Sequence, residues 1–253
     1  MLRPSLFPLI VSLALSAPLA GSTRAAESAP SPAPSAPVVV ELFTSQGCSS
    51  CVAADAYFGE LVKRSDVIAL AFHVDYWNYI GWTDPFAKPW ASARQHDYRE
   101  SLKTRFVYTP QIVVNGVAQV VGSDESKCDS LIDAAQAKPK NGPNLSLHWR
   151  EDGALAVDVG AGASPPGEPA TLWLIGYDAA HTTRVLRGEN EGRTLTDYHP
   201  VRSYSQLGKW AGWSAEFVVP AAEVKTLGSG GIAVLLQERG TGPILSAAQI
   251  AQR

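Results

Sequence analysis

The chain is poor in cysteine, methionine and charge. Its 253 residues include three Cys and one Met, the initiator. Three cysteines are too few for a disulfide-stapled small scaffold. With Met1 alone, no methionine-rich copper site is available. Charged residues make up 18%, with 21 basic against 24 acidic, a net charge of −3. No basic excess is present to neutralise phosphates, which argues against nucleic acid as a partner. No run of 18 uncharged apolar residues occurs after residue 30, so no internal membrane span is expected. What is present is a hydrophobic fraction of 45%. That is a globular composition rather than a disordered one. At about 150 residues per domain, the length leaves room for two domains.

The first segment has the character of an address. Arg3 precedes an uncharged, mostly apolar run from Leu6 to Ala20, broken by Pro8 and Pro18, and small residues continue to Ala26. This order predicts a secretory signal peptide over residues 1–26, cut after Ala20, Ala25 or Ala26; an uncleaved anchor is the alternative. The mature chain is then expected in the periplasm or outside the cell, with no stable membrane span after cleavage. Residues 27–37 alternate Pro with Ala and Ser and are expected to form an extended tether. A second break, Lys138-Pro-Lys-Asn-Gly-Pro143, marks a linker at 139–143 between domains at 38–138 and 144–253.

The chemistry is concentrated in the first of these. Val38–Thr44 is β-branched and apolar, a buried strand. Cys48-Ser-Ser-Cys51 follows a turn at Ser45-Gln-Gly47, and Val52 to Arg64 patterns as a helix. Val67–Val74 is a second strand. Val107–Val114 and Val117–Val121 are strands joined at Asn115-Gly116, a strong hairpin signal. A last helix is expected from about Asp124 to Lys138, with Ser123 as N-cap. Two residues between cysteines at a helix start bring both sulfurs within disulfide reach. The helix N-terminus stabilises the first sulfur as a thiolate, which attacks disulfides, and the second thiol resolves the mixed disulfide.

This arrangement resembles the thioredoxin superfamily. The superfamily has a cis-proline opening the third strand, and Thr109-Pro110 stands where the pattern requires it. More narrowly, Glu41-Leu-Phe-Thr-Ser-Gln-Gly-Cys-Ser-Ser-Cys51 and His73-Val-Asp-Tyr-Trp-Asn-Tyr-Ile-Gly-Trp82 are similar to a family of secreted bacterial proteins of unknown function with a thioredoxin-like fold. The likeness runs from Val38 to the C-terminus and includes Arg187-Gly-Glu-Asn-Glu-Gly-Arg193. It implies fold and compartment, not a substrate. It also implies a role for Glu41, because such proteins often bury a carboxylate under the cysteine pair to move protons. In related oxidases that carboxylate stands six residues before the first Cys; Glu41 stands seven before, and one extra loop residue would restore the role. The alternative is a strand-edge Glu meeting solvent or an Arg.

Other candidates have two sides as well. The cysteine pair is either redox-active or a permanent structural disulfide; zinc would need further ligands, of which Cys128 and His73 are the nameable ones. Cys128, on the last helix, is either inert or a partner for another chain. The segment Tyr76–Tyr108 holds nine of the 22 aromatics. Trp77, Trp82 and Trp90 would line a groove for a client beside the cysteines, or would join Arg94, Gln95 and Arg99 in a packed helical cap. His73 and Asp75 are assigned structural roles, and His96 a solvated one.

After Pro143 the pattern is strand-only. Leu145, Leu147 and Trp149 alternate with polar residues, as do Leu155, Val157 and Val159, and later Trp213, Ala215 and Phe217. Thr171–Tyr177 and Ile232–Leu236 are continuous apolar runs. A sandwich of about seven strands without a substantial helix is expected. Gly188–Arg193 is either a glycine-rich hairpin or a motif that faces the cysteines or a ligand.

The fold class expected is therefore α/β. It comprises a thioredoxin-like N-terminal domain with a helical aromatic insertion, followed by an all-β, sandwich-like C-terminal domain. The function expected is an exported thiol–disulfide oxidoreductase. Cys48 attacks, Cys51 resolves, Thr109 and Pro110 align the substrate, Glu41 moves protons, and Trp77 and Trp82 contact a protein or small-molecule thiol or disulfide. No cofactor and no metal enter this expectation. The alternative is a non-catalytic binding protein on the same scaffold.

Overall fold

Seven residues from Val38 to Thr44 form a first strand, β1, in which every residue is buried. Alternate side chains of a strand point to opposite faces, so this implies cover on both sides. Val38, Val40 and Leu42 meet α1 (Cys51–Leu61) and α3 (Glu125–Gln136) in one apolar cluster. Val39 and Phe43 point into a different cluster on the opposite face.

In this computed structural model, which describes Met1 and residues 36–139 and 141–253, the fold is mixed α/β and mostly β-sheet. The expected signal peptide and all but the last two residues of the tether lie outside the described residues, apart from Met1. The described residues from 36 onward cluster as one compact unit. The first sheet has the order β2-β1-β3-β4, with β2 at Val67–His73, β3 at Gln111–Val114 and β4 at Ala118–Val121. β1 runs parallel to β2 and antiparallel to β3. Between β2 and β3 lie a 3-10 turn at Asn78–Ile80 and α2 (Pro89–Ser101). Among the described residues no helix is long and apolar enough to cross a membrane.

The remaining strands are β5 (Leu145–Trp149), β6 (Leu155–Val159), β7 (Ala170–Tyr177), β8 (Ala180–Arg184), β9 (Thr194–Tyr198), β10 (Val201–Trp210), β11 (Ala215–Val219), β12 (Gly231–Gln237) and β13 (Ile244–Ala251). They form a four-stranded sheet β10-β7-β12-β13, a three-stranded sheet β11-β6-β5 and a β8-β9 hairpin. One face of the four-stranded sheet presents Leu172, Leu174, Val234 and Leu236 to Leu155 and Val157 of the three-stranded sheet. Its other face presents Ile175, Ala233 and Leu235 to Phe43, Leu70 and Phe72 of the first sheet. The four-stranded sheet is thus sealed on both faces, which explains the unbroken apolar runs of β7 and β12.

Several details differ from the expectation, and α1, β2 and the last helix each end one to three residues early. The third strand begins at Gln111 rather than Val107, immediately after the cis Thr109–Pro110 bond. Asp124, not Ser123, caps the last helix, accepting from the Lys127 N–H at 3.3 Å. The part after Pro143 has nine strands rather than about seven, and a four-residue helix, Ala221–Val224. Trp213 stands outside β11 and is exposed, in the turn that Gly212 makes at φ +104°.

Candidate functional site

Cys48 and Cys51 form a disulfide with a Cα–Cα distance of 5.4 Å. The Ser45–Cys48 turn bends the chain from β1 into α1, with the Cys48 N–H bonded to the Ser45 carbonyl. Cys51 opens the helix. Ser49 and Ser50 are exposed, whereas the sulfur-bearing residues are 1% and 0% exposed. The sulfurs are therefore closed off, and three neighbouring segments pack against the cysteine turn and its helix.

The first is the aromatic stretch after β2. A Cβ on Gly47 would stand 3.1 Å from the Trp77 Cβ and 3.3 Å from the Ile80 Cδ1, so this loop leans directly on the turn. The Trp77 indole N–H donates to the Thr109 hydroxyl at 2.8 Å, tying the cysteine turn to the cis Thr109–Pro110 segment. Trp82 donates from its indole N–H to the Gln46 Oε1 at 3.0 Å. Trp90 does not join them; it packs on Phe72 and Tyr204. The second segment is the third strand's entry. Ala54 of α1, Leu42 and Pro110 all converge 3.2 Å from where a Cβ on Gly122 would lie, so Pro110 is within a glycine's width of the cysteine helix.

The third segment comes from the far end of the chain. Asn190 donates from its amide to the carbonyls of Gln46 at 2.9 Å and Cys48 at 3.1 Å. The Ser49 N–H donates to the Glu189 carboxylate at 3.1 Å. The polar motif at residues 187–193 therefore covers the cysteine turn.

Beneath the turn lies a buried polar cluster that residue patterns alone do not announce. His73 Nδ1 lies 2.8 Å from Asp84 Oδ2, and its Nε2, buried without a hydrogen-bond partner, lies 3.8 Å from Asp197 Oδ1. The Gln46 backbone N–H donates to Asp84 at 2.8 Å and its side-chain amide to Asp197 at 2.6 Å. Burial disfavours the His73 cation, but the facing carboxylates of Asp84, Asp197 and Asp55 outweigh it and push its pKa up to about 9. Burial raises Asp55 to about 7, against the pull of His73 and of the Thr44 hydroxyl, which donates to it at 2.7 Å. Asp55 lies one helical turn beyond Cys51 on α1, the spacing that puts two side chains side by side.

Glu41 is elsewhere. It faces away from α1 and is fully buried, accepting from Arg94 Nε at 2.6 Å and from the Tyr98 hydroxyl. Arg94 continues to Tyr204 at 2.8 Å and to Gln237 at 3.0 Å. The carboxylate expected under the cysteines thus pins the first sheet, α2 and the four-stranded sheet together. The missed neighbour is Asp55, whose signal in the sequence is its four-residue spacing from Cys51. Cys128 is a free thiol buried in the core between the first sheet and α1 and α3. Burial pushes its pKa up to about 12. Among the described residues no group of three or more His, Cys, Asp or Glu is placed to hold a metal ion. His96 is exposed.

A family model described as protein of unknown function DUF1223 matches residues 39–237. The chain belongs to this family. The DUF1223 match runs from β1 to Gln237, and so takes in the cysteine turn, the buried cluster and the motif that covers them. The chain is similar to protein AGR_C_4864 from Agrobacterium tumefaciens, known from a crystal structure, at 33% identity. That likeness covers 85% of this chain and 94% of the other, with a TM-score of 0.72. A structure titled HBP35 of Porphyromonas gingivalis shares the fold alone, at 14% identity and a TM-score of 0.53, over 86% of this chain and 75% of that one. No curated protein matches.

Proposed function

We propose that this DUF1223 member is an exported thiol–disulfide oxidoreductase, with a thioredoxin-like N-terminal part and a β-sandwich-like C-terminal part. The observation that carries the proposal is the bonded Cys48–Cys51 pair at the start of α1, whose turn Trp77 links to the cis Thr109–Pro110 segment. A helix N-terminus favours a thiolate on the first sulfur. In the reducing direction, the Cys48 thiolate attacks one sulfur of a client disulfide and expels the other as a thiolate. The Cys51 thiolate then attacks the Cys48 sulfur and releases the second client thiolate. Two electrons pass from the pair to the client, and Cys48–Cys51 closes. The oxidising direction is the reverse. The client is a protein or a small-molecule thiol or disulfide. Thr109 and Pro110 flank its approach, and Trp77 and Trp82 wall the turn.

Asp55 takes the proton-handling part first expected of Glu41. It stands one turn from Cys51 with a pKa raised to about 7 by burial, whereas Glu41 is held by Arg94 on the other face. A carboxylate poised near ambient pH is suited to accept the Cys51 proton.

The burial of both sulfurs favours a second reading, a binding protein whose disulfide is permanent. One experiment separates the two. The folded chain, without residues 1–26, is equilibrated across glutathione buffers and its thiols are trapped. A reversible two-electron transition is expected; a potential above roughly −200 mV marks an oxidase or isomerase, and one below about −250 mV a reductase. Cys48→Ser is expected to abolish turnover of insulin or other client disulfides. A pair that opens only when the protein unfolds would falsify the oxidoreductase reading.

A further inference from the structure

Residues 187–193 lie on the connection between β8 and β9, far from the cysteines in sequence, yet they form the outer wall of the cysteine turn. The loop is held as a unit. Its ends are closed by the Val185 N–H to Arg193 carbonyl bond and the Gly192 N–H to Val185 carbonyl bond, both 2.9 Å. Gly188, at φ +80°, rests against Ile80. Asn190 is buried, and both hydrogen bonds that its side-chain amide donates go to carbonyls of the turn itself. The anchor fixes its neighbour. Glu189 is exposed, but its carboxylate receives the Ser49 N–H at 3.1 Å, and the Ser49 hydroxyl first and then this N–H hold its pKa below the usual carboxylate value.

This position has an electrostatic consequence. The unpaired N–H groups at the start of α1 are what would stabilise a thiolate on Cys48. Here one N–H from the cysteine turn points at a carboxylate instead, and a fixed negative charge sits one residue from the sulfur that must become negative. Arg187 and Arg193, at the ends of the loop, are exposed to solvent.

We infer that Glu189 is a positioning residue that sets the redox poise of Cys48–Cys51: its charge disfavours the Cys48 thiolate and so holds the pair toward the disulfide. The inference rests on the oxidoreductase reading. The equilibrium is disulfide plus two glutathione against dithiol plus glutathione disulfide. Only the dithiol side carries the thiolate, so removing the carboxylate charge draws the equilibrium toward the dithiol.

Glu189→Gln keeps an oxygen that accepts the Ser49 N–H and removes the charge. The glutathione equilibrium constant for reduction is expected to rise three- to tenfold, which is about 14 to 30 mV at 29.6 mV per tenfold. Alkylation of Cys48 by iodoacetamide in the reduced protein at neutral pH is expected to quicken by a similar factor. Both differences shrink in 0.5 M salt, because exposed charges are screened. Glu191→Gln, two residues along the same loop, is the control and leaves the constant unchanged. A merely structural Glu189 would move melting temperature without moving the constant. If the pair reduces reversibly and Glu189→Gln matches the wild type, the inference falls and the oxidoreductase reading stands. If the pair cannot be reduced in the folded protein, both fall together.

Discussion

Three carboxylates, Asp55, Asp84 and Asp197, act on the His73 imidazole; Asp84, Asp197 and His73 are buried and Asp55 is half-buried. Such a group cannot be neutral in its effect on stability. Asp55 has a folded pKa of about 7 against an ordinary value of 3.8. A raised folded pKa means that the protonated acid belongs to the native state. Its contribution is complete below about pH 4 and is lost as pH rises through about 7. Asp55→Asn keeps an acceptor for Thr44 and removes the ionisation. Relative to the wild type, this variant is expected to gain stability between pH 4 and pH 8, read as urea midpoints across that range. His73, raised from 6.5 to about 9, adds a contribution that is lost as pH rises through about 9. The wild-type midpoint is expected to fall on that limb as well. Midpoint differences independent of pH would show that Asp55 is ionised at little cost.

At the scale of elements, the β3–β4 hairpin joins more than its own two strands. Asn115 and Gly116 adopt φ +48° and +68°. The Asn115 Oδ1 accepts from the Val39 N–H at 2.8 Å, and its carbonyl accepts from the Ile244 N–H at 3.0 Å. A Cβ on Gly116 would lie 2.2 Å from the Gly242 carbonyl oxygen in the β12–β13 turn. Backbone cannot move aside as a side-chain tip can. Gly116→Ala adds that collision to a left-handed conformation that alanine disfavours, and is expected to destabilise the protein by about 2 kcal/mol or more. Chemical denaturation measures it, and a loss under about 0.5 kcal/mol would show that the two turns can separate freely. Asn-Gly announced the hairpin from sequence because its chemistry is local. Its contact with Gly242 was not legible, because nothing local connects residues 126 positions apart.

For the whole molecule, the first and the four-stranded sheets share one apolar cluster and one buried ion pair. Phe43, Leu70 and Phe72 face Ile175, Ala233 and Leu235, and Glu41–Arg94 reaches Tyr204 and Gln237 across the same layer. The Ala71 N–H of β2 also donates to the His199 carbonyl at 3.0 Å. A chain ending at residue 138 would expose that cluster and take Tyr204 and Gln237 away from the buried Arg94. Such a fragment is expected to aggregate or to lack a cooperative melt by circular dichroism, while the full chain melts in one transition. A monomeric fragment with a sharp transition would show that the first part folds alone.

Local chemistry was sufficient for what the sequence determined. β-branched runs marked β1, β2, β7 and β12, Asn-Gly marked the hairpin, and two cysteines three positions apart at a helix start marked the disulfide. Burial of β1 was legible too, from a β-branched, apolar run that only Glu41 interrupts before Thr44. The tertiary structure decided which face each polar residue took. Glu41 and Leu42 are adjacent in β1, and strand alternation sends them to opposite layers, so a one-residue offset separates a carboxylate under the cysteines from one clamped by Arg94. Folding also decided that Glu189 and Asn190, some 140 residues from the cysteines, stand against Cys48 and Ser49. Charges that far apart in the chain act on one another only when the fold brings them within a few ångströms, and spacing in the sequence carries no trace of it.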